Sequence, residues 1–567
     1  MDRILWVDMT AGRVEVEVLP ELYRRLGGRA LTSRLVKDVV PAEADPLGPE
    51  NLLVFAAGLL GGTTASSANR ISAGGVSPLT GGIKESNAGG NTALYLAGSG
   101  IRAIAVKGRS AGLRYLYVEG EKAELRDAAD LAGLEVGEAT RRLMSVHGED
   151  VGVIVIGPAG EMGLRAAGIA NTDMDGVPGR YCGRGGLGAV MGVKGLKAVV
   201  ISRRGFEYRA PADPALWKEA NRRYVDLLRE NPVTGKSMPK YGTAATLELV
   251  NELGGLPTRN FSSGSFEDAD RISGRAMYEI ITERGGEGTP THACMPGCVV
   301  RCSNRYADPE GKLFVSPMEY ETNTLMGSNL GIADFDVIAE LNRLCNELGL
   351  DTIEVGAALG VAMEAGVLEF GDGRGAVRAV QEIGEGTVLG RVLGNGAAVT
   401  GTVFGVQRVP VVKGQALAAY DPRAIKGNGV TYVTSPMGAD HTAGNTIVVK
   451  TDHLDPSDKV EISRTLQIKT AVLDSLGLCA FVRAVFFDRP EVVADMMTAL
   501  WGERWTAEDL MALGRETIRT ELEVNRARGF GPQDDRLPAY FLTEALPPRD
   551  AVWDVPLEEI EKFWRDL

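Results

Sequence analysis

Short apolar runs, rich in residues that favour β-strands, recur through the first two hundred residues of the chain. The segment from Arg3 to Leu19 predicts two strands around the turn Thr10-Ala11-Gly12. Further runs predict strands at Leu52–Ala57, Ala103–Lys107, Tyr115–Val118, Val151–Ile156 and Leu196–Ile201. Glycine-rich stretches predict ligand-binding loops at Gly58–Gly62, Gly74–Gly90 and Gly183–Gly192. The pattern favours a β-rich platform of about 205 residues.

Helical spacing dominates after a change of composition at Arg203-Arg204-Gly205. Asp334 can cap a helix whose apolar face is formed by Ile338, Leu341, Leu344 and Leu348. The sequence Asp455-Pro456-Ser457-Asp458 predicts a second helix start, with Asp455 as N-cap. We therefore predict an α+β fold: a β-rich domain at residues 1–206, then two mainly α-helical domains at residues 207–409 and 410–567.

Two predicted helices end in the same way. One ends Asn346-Glu347-Leu348-Gly349-Leu350-Asp351, and the other ends Asp474-Ser475-Leu476-Gly477-Leu478-Cys479. In both, the glycine can adopt the left-handed conformation that closes a helix. Two interpretations stay open: two ordinary helix ends, or two equivalent half-sites for a ligand with approximate twofold symmetry.

The composition is that of a globular protein, with 44% hydrophobic and 24% charged residues. The formal charge of −14 argues against nonspecific binding to nucleic acid, which needs clustered Lys and Arg. Charged residues interrupt the segment Met1–Val18, unlike a signal peptide, and no apolar run reaches the roughly 20 residues that span a bilayer. We expect a cytoplasmic protein that binds neither nucleic acid nor membrane.

Three of the six cysteines lie close together, at Cys294, Cys298 and Cys302. A disulfide framework is not expected in so long a chain with so few cysteines, whereas clustered thiols are typical metal ligands. The spacing leaves an iron–sulfur cluster and a zinc ion open. Four thiolates are needed to hold a 4Fe-4S cluster, so a fourth ligand must come from elsewhere.

The best candidate for the fourth ligand is Cys479, at the end of the second turn. His292 is an alternative, although a histidine beside a cluster more often donates a hydrogen bond. The remaining thiols, Cys182 and Cys345, are isolated in sequence and are expected to be small buried hydrophobic side chains.

Two glycine-rich segments could bind phosphate. Gly183-Arg184-Gly185-Gly186-Leu187-Gly188 formally matches the dinucleotide fingerprint, but the preceding Asp173–Tyr181 stretch does not predict a strand. Backbone amides and Arg184 could still cradle phosphate. Arg70 and the segment Ser86–Gly90 offer a second site of this kind. Each could also be a tight turn with a solvated arginine.

In their order along the chain these motifs resemble the aldehyde ferredoxin oxidoreductase family. The motifs are Arg70, Ser77–Gly81, Ser86–Gly90, Gly183–Gly192, the clustered cysteines and the two turns. The resemblance extends from about residue 3 to residue 545 and includes Pro239–Ala244 and Ala419–Arg423.

The resemblance implies a tungsten, or less often molybdenum, ion held by two pyranopterins, together with one 4Fe-4S cluster and a magnesium ion. Cys294, Cys298, Cys302 and Cys479 would hold the cluster. Backbone carbonyls of Asn87 and Gly185 would bind magnesium, and Arg70, Gly89 and Arg184 would contact the pterin phosphates. The turns would each hold one pterin through Asn346, Gly349, Leu350 and Asp351, and through Asp474, Gly477 and Leu478.

By the same resemblance, Glu321 and His441 would lie near the metal as catalytic residues. Alternatively, Glu321 could be a surface or capping carboxylate and His441 a hydrogen-bonded loop histidine. The implied reaction is oxidation of a small aldehyde to a carboxylic acid, with electrons passing through the cluster to ferredoxin or a ferredoxin-like subunit. One alternative is another low-potential reaction, such as reduction of an aromatic acyl thioester. Another is a noncatalytic iron–sulfur electron-transfer subunit.

Three positions depart from the family pattern. Three residues separate Cys294 from Cys298 where two are usual, and Asn346 replaces an acidic residue. Glu340 and Arg343 stand where several members have a Glu and a His that bind a metal between subunits. We therefore do not expect that metal, and an oligomer is possible but not implied by it.

Overall fold

Two six-stranded sheets form the N-terminal part of the computed structural model, which describes residues 2–565 and 567. The strands of the first sheet are β1 (Arg3–Asp8), β2 (Arg13–Val18), β3 (Leu53–Ala57), β4 (Ile71–Val76), β5 (Ile83–Ala88) and β6 (Ile101–Lys107). Those of the second are β7 (Arg114–Glu119), β8 (Lys122–Asp127), β9 (Val151–Val155), β10 (Ile169–Asn171), β11 (Arg180–Cys182) and β12 (Leu196–Ser202). The predicted strands are confirmed to within two residues at each end.

The two sheets have the same topology. Their strand orders are β2-β1-β6-β3-β4-β5 and β8-β7-β12-β9-β10-β11, and only the β1–β6 and β7–β12 pairs are parallel within these sheets. Helices occupy equivalent connections: α1 (Gly28–Val39) and α2 (Thr92–Gly98) in the first unit, and α3 (Val136–His147) and α5 (Leu187–Val193) in the second, which also contains α4 (Pro158–Glu161). We call residues 3–107 the first repeat and residues 114–202 the second repeat.

Two glycine-rich stretches contain regular structure where the sequence predicted only loops. Gly74–Gly90 includes β5 and the end of β4, and Gly183–Gly192 includes most of α5. Their small residues give no apolar alternation, yet they allow close packing: a Cβ on Gly74 would lie 2.5 Å from Cβ of Thr32 in α1. The segment Asp173–Tyr181, for which no strand was predicted, runs into the short strand β11. It is antiparallel to β10, unlike the parallel unit of a dinucleotide site.

The rest of the chain is mainly helical, which confirms the α+β prediction. Its helices are α6 (Pro214–Glu230), α7 (Met238–Tyr241), α8 (Thr246–Leu253), α9 (Gly274–Arg284), α10 (Tyr320–Leu325), α11 (Phe335–Leu348), α12 (Thr352–Glu364), α13 (Gly373–Glu385), α14 (Val388–Gly394), α15 (Ala397–Phe404), α16 (Lys426–Thr434), α17 (Lys459–Leu476), α18 (Arg483–Phe486), α19 (Pro490–Trp501), α20 (Ala507–Ala527), α21 (Tyr540–Thr543) and α22 (Leu557–Glu561). Short strands are β13 (Thr289–His292), β14 (Ser303–Ala307), β15 (Leu313–Val315), β16 (Val411–Val412) and β17 (Gln415–Ala416). Every helix among the described residues is too short or too polar to cross a lipid bilayer.

The two helix starts predicted from sequence have different outcomes. Asp334 caps α11 as predicted, accepting hydrogen bonds from two backbone N–H groups of the first turn. The start predicted at Asp455 is wrong in detail, because α17 begins at Lys459. The Asp455 carboxylate instead accepts from the Ser457 N–H at 3.0 Å and forms a turn before the helix.

The hydrophobic cores join distant parts of the chain. The largest core contains Leu341 of α11 and Tyr432 of α16, which lie on opposite sides of residue 410. A second core packs Leu60 of the first repeat against Leu476 of α17. The largest core also contains Leu348 of α11 and Ala167 of the second repeat, so the ends of both α11 and α17 are held against the N-terminal repeats. The domain boundaries near 206 and 410 stay predictions.

Candidate cofactor and active site

A cavity of about 550 Å³ lies where the N-terminal repeats meet the helices that follow them. Most of the predicted site residues line it: Arg70, Asn87, Gly89, Arg184, Cys294, Cys302, Glu321, Asn346, Leu350, Asp351, His441, Asp474 and Cys479. The other predicted residues, Gly185, Cys298, Gly349, Gly477 and Leu478, belong to the same segments but lie outside its lining. Residues from seven separate parts of the sequence thus meet around one space.

Both predicted turns have the same backbone. α11 and α17 each end at a left-handed glycine, with φ of +76° at Gly349 and +77° at Gly477. The next N–H closes each helix by donating to a carbonyl five residues earlier, at 2.8 Å from Leu350 and 2.9 Å from Leu478. These bonds satisfy carbonyls that a helix end would otherwise leave unpaired.

Each turn docks on one repeat through a glycine that follows a strand: Gly157 after β9 and Gly58 after β3. A Cβ on Gly157 would lie 2.3 Å from the Leu348 carbonyl oxygen, and one on Gly58 would lie 2.1 Å from the Gly477 nitrogen. Only a residue without a side chain allows this approach. Equivalent backbone hydrogen bonds complete the docking: Gly168 N–H to the Gly349 carbonyl (2.9 Å) and Arg70 N–H to the Gly477 carbonyl (3.1 Å).

The cysteines predicted to hold a cluster come together. Cys298, Cys302 and Cys479 are each only 8% exposed, and Cys294 is half-buried. Contact with the Cys294 thiol lowers the pKa of Cys298. Ser67 joins two of the four, because its hydroxyl donates to Cys298 Sγ at 3.4 Å and its carbonyl accepts from the Cys479 N–H at 2.8 Å. This donor set is the kind that binds an iron–sulfur cluster.

His292, the alternative fourth ligand, has protein partners at both ring nitrogens. Its Nε2 lies 2.8 Å from Asp175 Oδ2 and its Nδ1 lies 3.4 Å from Arg180 Nη2. Potential ligand atoms of Asp173, Asp175 and His292 lie within 4.8 Å of one another. Arg180 and Arg305 contact the same carboxylates, and their positive charges disfavour a cation there. The group is therefore an ion-pair network.

The carbonyls predicted to bind magnesium each accept a hydrogen bond from a side chain. Arg70 Nη2 donates to the Asn87 carbonyl at 2.8 Å, and the Ser77 hydroxyl donates to the Gly185 carbonyl at 2.8 Å. A carbonyl oxygen has two lone pairs, so one side-chain donor does not by itself saturate it. Gly89, beside Asn87, also lies close to the cysteines: a Cβ there would be 3.1 Å from Cys294 Sγ.

The two predicted catalytic residues lie side by side in the cavity. Glu321 is in the first turn of α10, and its Oε1 is 3.1 Å from His441 Nε2, although the two atoms are not aligned as a hydrogen bond. The Ala419 N–H donates to Glu321 Oε2 at 2.8 Å. Glu321 Oε1 and His441 Nδ1 have no hydrogen-bond partner among the described residues. Both atoms are available to a ligand.

Burial sets the charge of this pair. It raises the pKa of Glu321 to about 8 and lowers the pKa of His441 to about 3, because each charged form loses water. Near neutral pH both side chains are therefore uncharged. The glutamate ionises only as the pH passes about 8.

A buried ion pair that was not predicted holds the loop of His441. Lys84 of β5 contacts the carboxylate of Asp440, and the Lys84 side chain is fully buried. Arg184 also donates to the Ala439 carbonyl at 2.6 Å. Both cations come from the N-terminal repeats. A buried lysine paired with an aspartate 356 positions away leaves no local pattern in the sequence.

Several charged residues that were not predicted as site residues also line the cavity, and Glu319 and Arg483 are two of them. Glu319 accepts a hydrogen bond from the Thr243 hydroxyl, and burial raises its pKa. The sequence signal that could have identified Glu319 as a site residue is its carboxylate, two residues before Glu321. Arg483 follows Cys479 by four residues and offered no motif.

Comparison with known proteins identifies the family of the chain. Residues 4–203 match the model of the aldehyde ferredoxin oxidoreductase N-terminal domain, and residues 219–565 match that of domains 2 and 3 of the same family. The chain belongs to the aldehyde ferredoxin oxidoreductase family. The resemblance seen in the sequence motifs is thereby confirmed.

Similar proteins extend over nearly the whole chain. A tungsten-containing aldehyde ferredoxin oxidoreductase of Pyrococcus horikoshii is 35% identical, over 96% of this chain and 92% of the relative. The WOR-like subunit of an aliphatic sulfonate oxidoreductase of Pyrococcus furiosus is 27% identical, over 89% of this chain and 82% of the relative. Among solved structures, the active-site complex of benzoyl coenzyme A reductase with 1,5-dienoyl-CoA covers 99% of this chain and 92% of its own, with a TM-score of 0.81. At 22% identity, that likeness concerns the fold alone.

The positions that depart from the family pattern have clear structural settings. The extra residue lies in the Met295–Gly297 turn, where Gly297 has φ of +71°. Arg343 donates two hydrogen bonds to Glu340, at 2.8 and 2.9 Å, so this carboxylate is already paired within α11.

Cys182 and Cys345 are 2% and 0% exposed, in agreement with a packing role. The oligomeric state stays a prediction.

Proposed function

We propose that this chain oxidises an aldehyde to a carboxylic acid, using a tungsten or molybdenum bis-pyranopterin, and passes the electrons through a 4Fe-4S cluster to ferredoxin. The observation that carries the proposal is the cavity, in which an unpartnered carboxylate oxygen and imidazole nitrogen share one space with thiols and with both helix-end turns. The tungsten-containing aldehyde ferredoxin oxidoreductases that are 35% identical to it support the same reaction.

The residues present fit these cofactors. Four thiols in one neighbourhood match the ligand set of a 4Fe-4S cluster, and we assign them as Cys294, Cys298, Cys302 and Cys479. The two turns, docked at equivalent places on the repeats, match a ligand with two similar halves. We propose that the first pterin is held by Asn346, Gly349, Leu350 and Asp351, and the second by Asp474, Gly477 and Leu478.

We assign phosphate and magnesium binding to the loops of the two repeats. Arg70 and Arg184 are suited to phosphate, because a guanidinium offers paired donors in a planar arrangement. Gly89 would contact phosphate through its backbone. The carbonyls of Asn87 and Gly185 would bind magnesium, which prefers oxygen ligands.

When bound, the metal and the cluster would supply a two-electron acceptor and a route for single electrons. The side chains would supply acid–base chemistry. The uncharged His441 can donate a hydrogen bond to the aldehyde oxygen and so polarise the carbonyl. Glu321, once ionised, can accept a proton from water or from the adduct. The buried site would exclude competing water and strengthen both interactions.

The experiment is a set of assays on anaerobically purified protein. We expect tungsten or molybdenum, pterin, magnesium and about four irons per chain, and reduction of ferredoxin by aldehydes. Activity on aromatic acyl thioesters without activity on aldehydes would overturn the assignment of the reaction. Iron without tungsten or molybdenum would instead support a noncatalytic subunit. Arg184→Ala should retain iron but lose pterin, which tests the phosphate assignment separately.

A further inference from the structure

Five arginines line the cavity, and four of them have polar partners in the protein. These pairs are Arg29 with Glu521 (2.8 Å), Arg70 with the Asn87 carbonyl (2.8 Å), Arg180 with Asp173 (3.4 Å) and Arg184 with Asp351 (3.4 Å). The fifth, Arg483, makes no side-chain hydrogen bond or ion pair within the part of the chain that the structure describes. Its guanidinium carbon lies 5.5 Å from the centre of the Phe481 ring, another lining residue.

Arg483 is within electrostatic reach of both the catalytic pair and the cysteines. Burial lowers the pKa of His441, and the positive charge of Arg483 contributes to this shift. Burial raises the pKa of Cys479, and the charge of Arg483 acts in the opposite direction. The ring of Tyr420 lies 5.8 Å from that of His441, and Tyr420 also interacts electrostatically with Arg483. A small molecule that reaches His441 would therefore come close to this arginine.

Arg483 is half-buried in the cavity, and no carboxylate among the described residues replaces the hydration that its guanidinium loses. We propose that Arg483 binds a carboxylate carried by the substrate, so that the preferred aldehydes are short oxo-acids. The guanidinium fork holds a carboxylate through two parallel hydrogen bonds. The unpartnered atoms of Glu321 and His441 then face the aldehyde group at the other end of the molecule. This inference rests on the proposed aldehyde oxidation and specifies its substrate class.

The test compares matched aldehydes on the holoenzyme. Glyoxylate, 4-oxobutanoate and 5-oxopentanoate are paired with acetaldehyde, butanal and pentanal, and kcat/KM is measured for each. At least one oxo-acid should exceed its neutral partner by about 10- to 100-fold, the range expected for one charge-assisted pair. Arg483→Gln should lower kcat/KM for the oxo-acids to the level of their neutral partners in the same variant, and Arg483→Lys should restore part of the preference. Calorimetry with succinate, a product-like dicarboxylate, should show weaker binding to Arg483→Gln.

The control is Arg489→Gln, which removes an exposed arginine paired with Glu491 at 2.7 Å and should keep the preference. Loss of pterin or tungsten in Arg483→Gln would show that the arginine serves the cofactor and would overturn the proposal. A changed cluster signal with an unchanged substrate preference would overturn it in favour of charge compensation at the cluster. Equal rates on charged and neutral aldehydes in the natural protein would refute this inference alone, whereas no activity on any aldehyde would refute the proposed function.

Discussion

The turns at the ends of α11 and α17 share a backbone but face different chemistry. Asp351, at the end of the first turn, pairs with Arg184 at 3.4 Å, and its charge acts on the pKa of Glu321. The second turn ends in Cys479, whose neighbours include the other clustered cysteines. The first turn thus belongs to the acid–base side of the cavity and the second to the thiol side.

The difference shows how two repeats with the same backbone arrangement can support two kinds of chemistry. The strand order, the glycine contacts and the backbone hydrogen bonds are the same in both halves, because they depend on the main chain. One side chain at the last position of each turn, carboxylate or thiol, then decides which chemistry lies beside it. Each half can therefore be disabled separately.

Breaking the thiol side should have the largest effect. Cys479→Ser should abolish the paramagnetic signal of a reduced 4Fe-4S cluster, lower the iron content and stop ferredoxin reduction, because serine is a poor ligand for the cluster. The matched control is Cys345→Ser in α11, a buried thiol on the other side. It should keep its iron. Full iron content and signal in Cys479→Ser would show that the second turn carries no ligand.

Breaking the acid–base side should slow turnover while leaving the cluster intact. Glu321→Gln should reduce kcat by on the order of 100- to 10,000-fold, the usual contribution of a general base. In the natural protein the rate should rise as the pH passes about 8, because burial raises the Glu321 pKa to that value and only the ionised form accepts a proton. The rise should disappear in the variant.

Glu319→Gln is the control for this prediction. Glu319 lies in the same cavity and is also half-buried, but its carboxylate accepts a hydrogen bond from Thr243. Its replacement should slow turnover less than Glu321→Gln does. If the larger loss follows Glu319→Gln, the wrong carboxylate has been assigned to the role of base.

Lys84 holds the loop that carries His441, so replacing it tests how much the position of this histidine matters. Because Lys84 anchors Asp440, Lys84→Met should misplace His441 and lower the rate by about tenfold, as small displacements of catalytic groups do. Lys197→Met is the control, since Lys197 is also fully buried and pairs with Glu161 away from the cavity lining. Both variants should lose stability in thermal unfolding, but only the first should lose rate with its cofactor content unchanged. Equal rates would mean that Lys84 has only a structural role.

Local signals in the sequence explain which parts of the fold were predictable. The hairpin of β1 and β2 and the capped start of α11 follow from alternation and capping within a few residues. β4 was missed because its residues Ile71–Val76 are mostly small, and their burial depends on the approach of α1. The matching topology of the two repeats was also missed, since no shared sequence period marks it.

The same distinction applies to the site. The turns and the clustered cysteines are motifs of adjacent residues, so the sequence was enough to select them. The pairing of Glu321 with His441 came from family resemblance, and its geometry needed the structure. Lys84 and Arg483 could not be selected from the sequence, because only the folded structure shows that Lys84 pairs with Asp440 and that Arg483 lines the cavity without an ion-pair partner among the described residues.

The smallest expected effect concerns the charge at the start of each turn. Asp474 pairs with Arg29 at 3.3 Å, whereas no Lys or Arg donates a hydrogen bond to the Asn346 side chain in the described part of the chain. Asn346→Asp should leave pterin content unchanged and kcat within about threefold, because both side chains can accept a hydrogen bond from a pterin.

The new carboxylate would be partly desolvated without a partner, so its pKa should rise above that in the unfolded chain. The variant should therefore match the natural protein in stability at low pH and lose about 1 kcal/mol as the pH rises from about 4 to about 6. Unchanged stability of Asn346→Asp at neutral pH, measured by denaturant titrations, would mean that the new carboxylate finds a partner at the first turn.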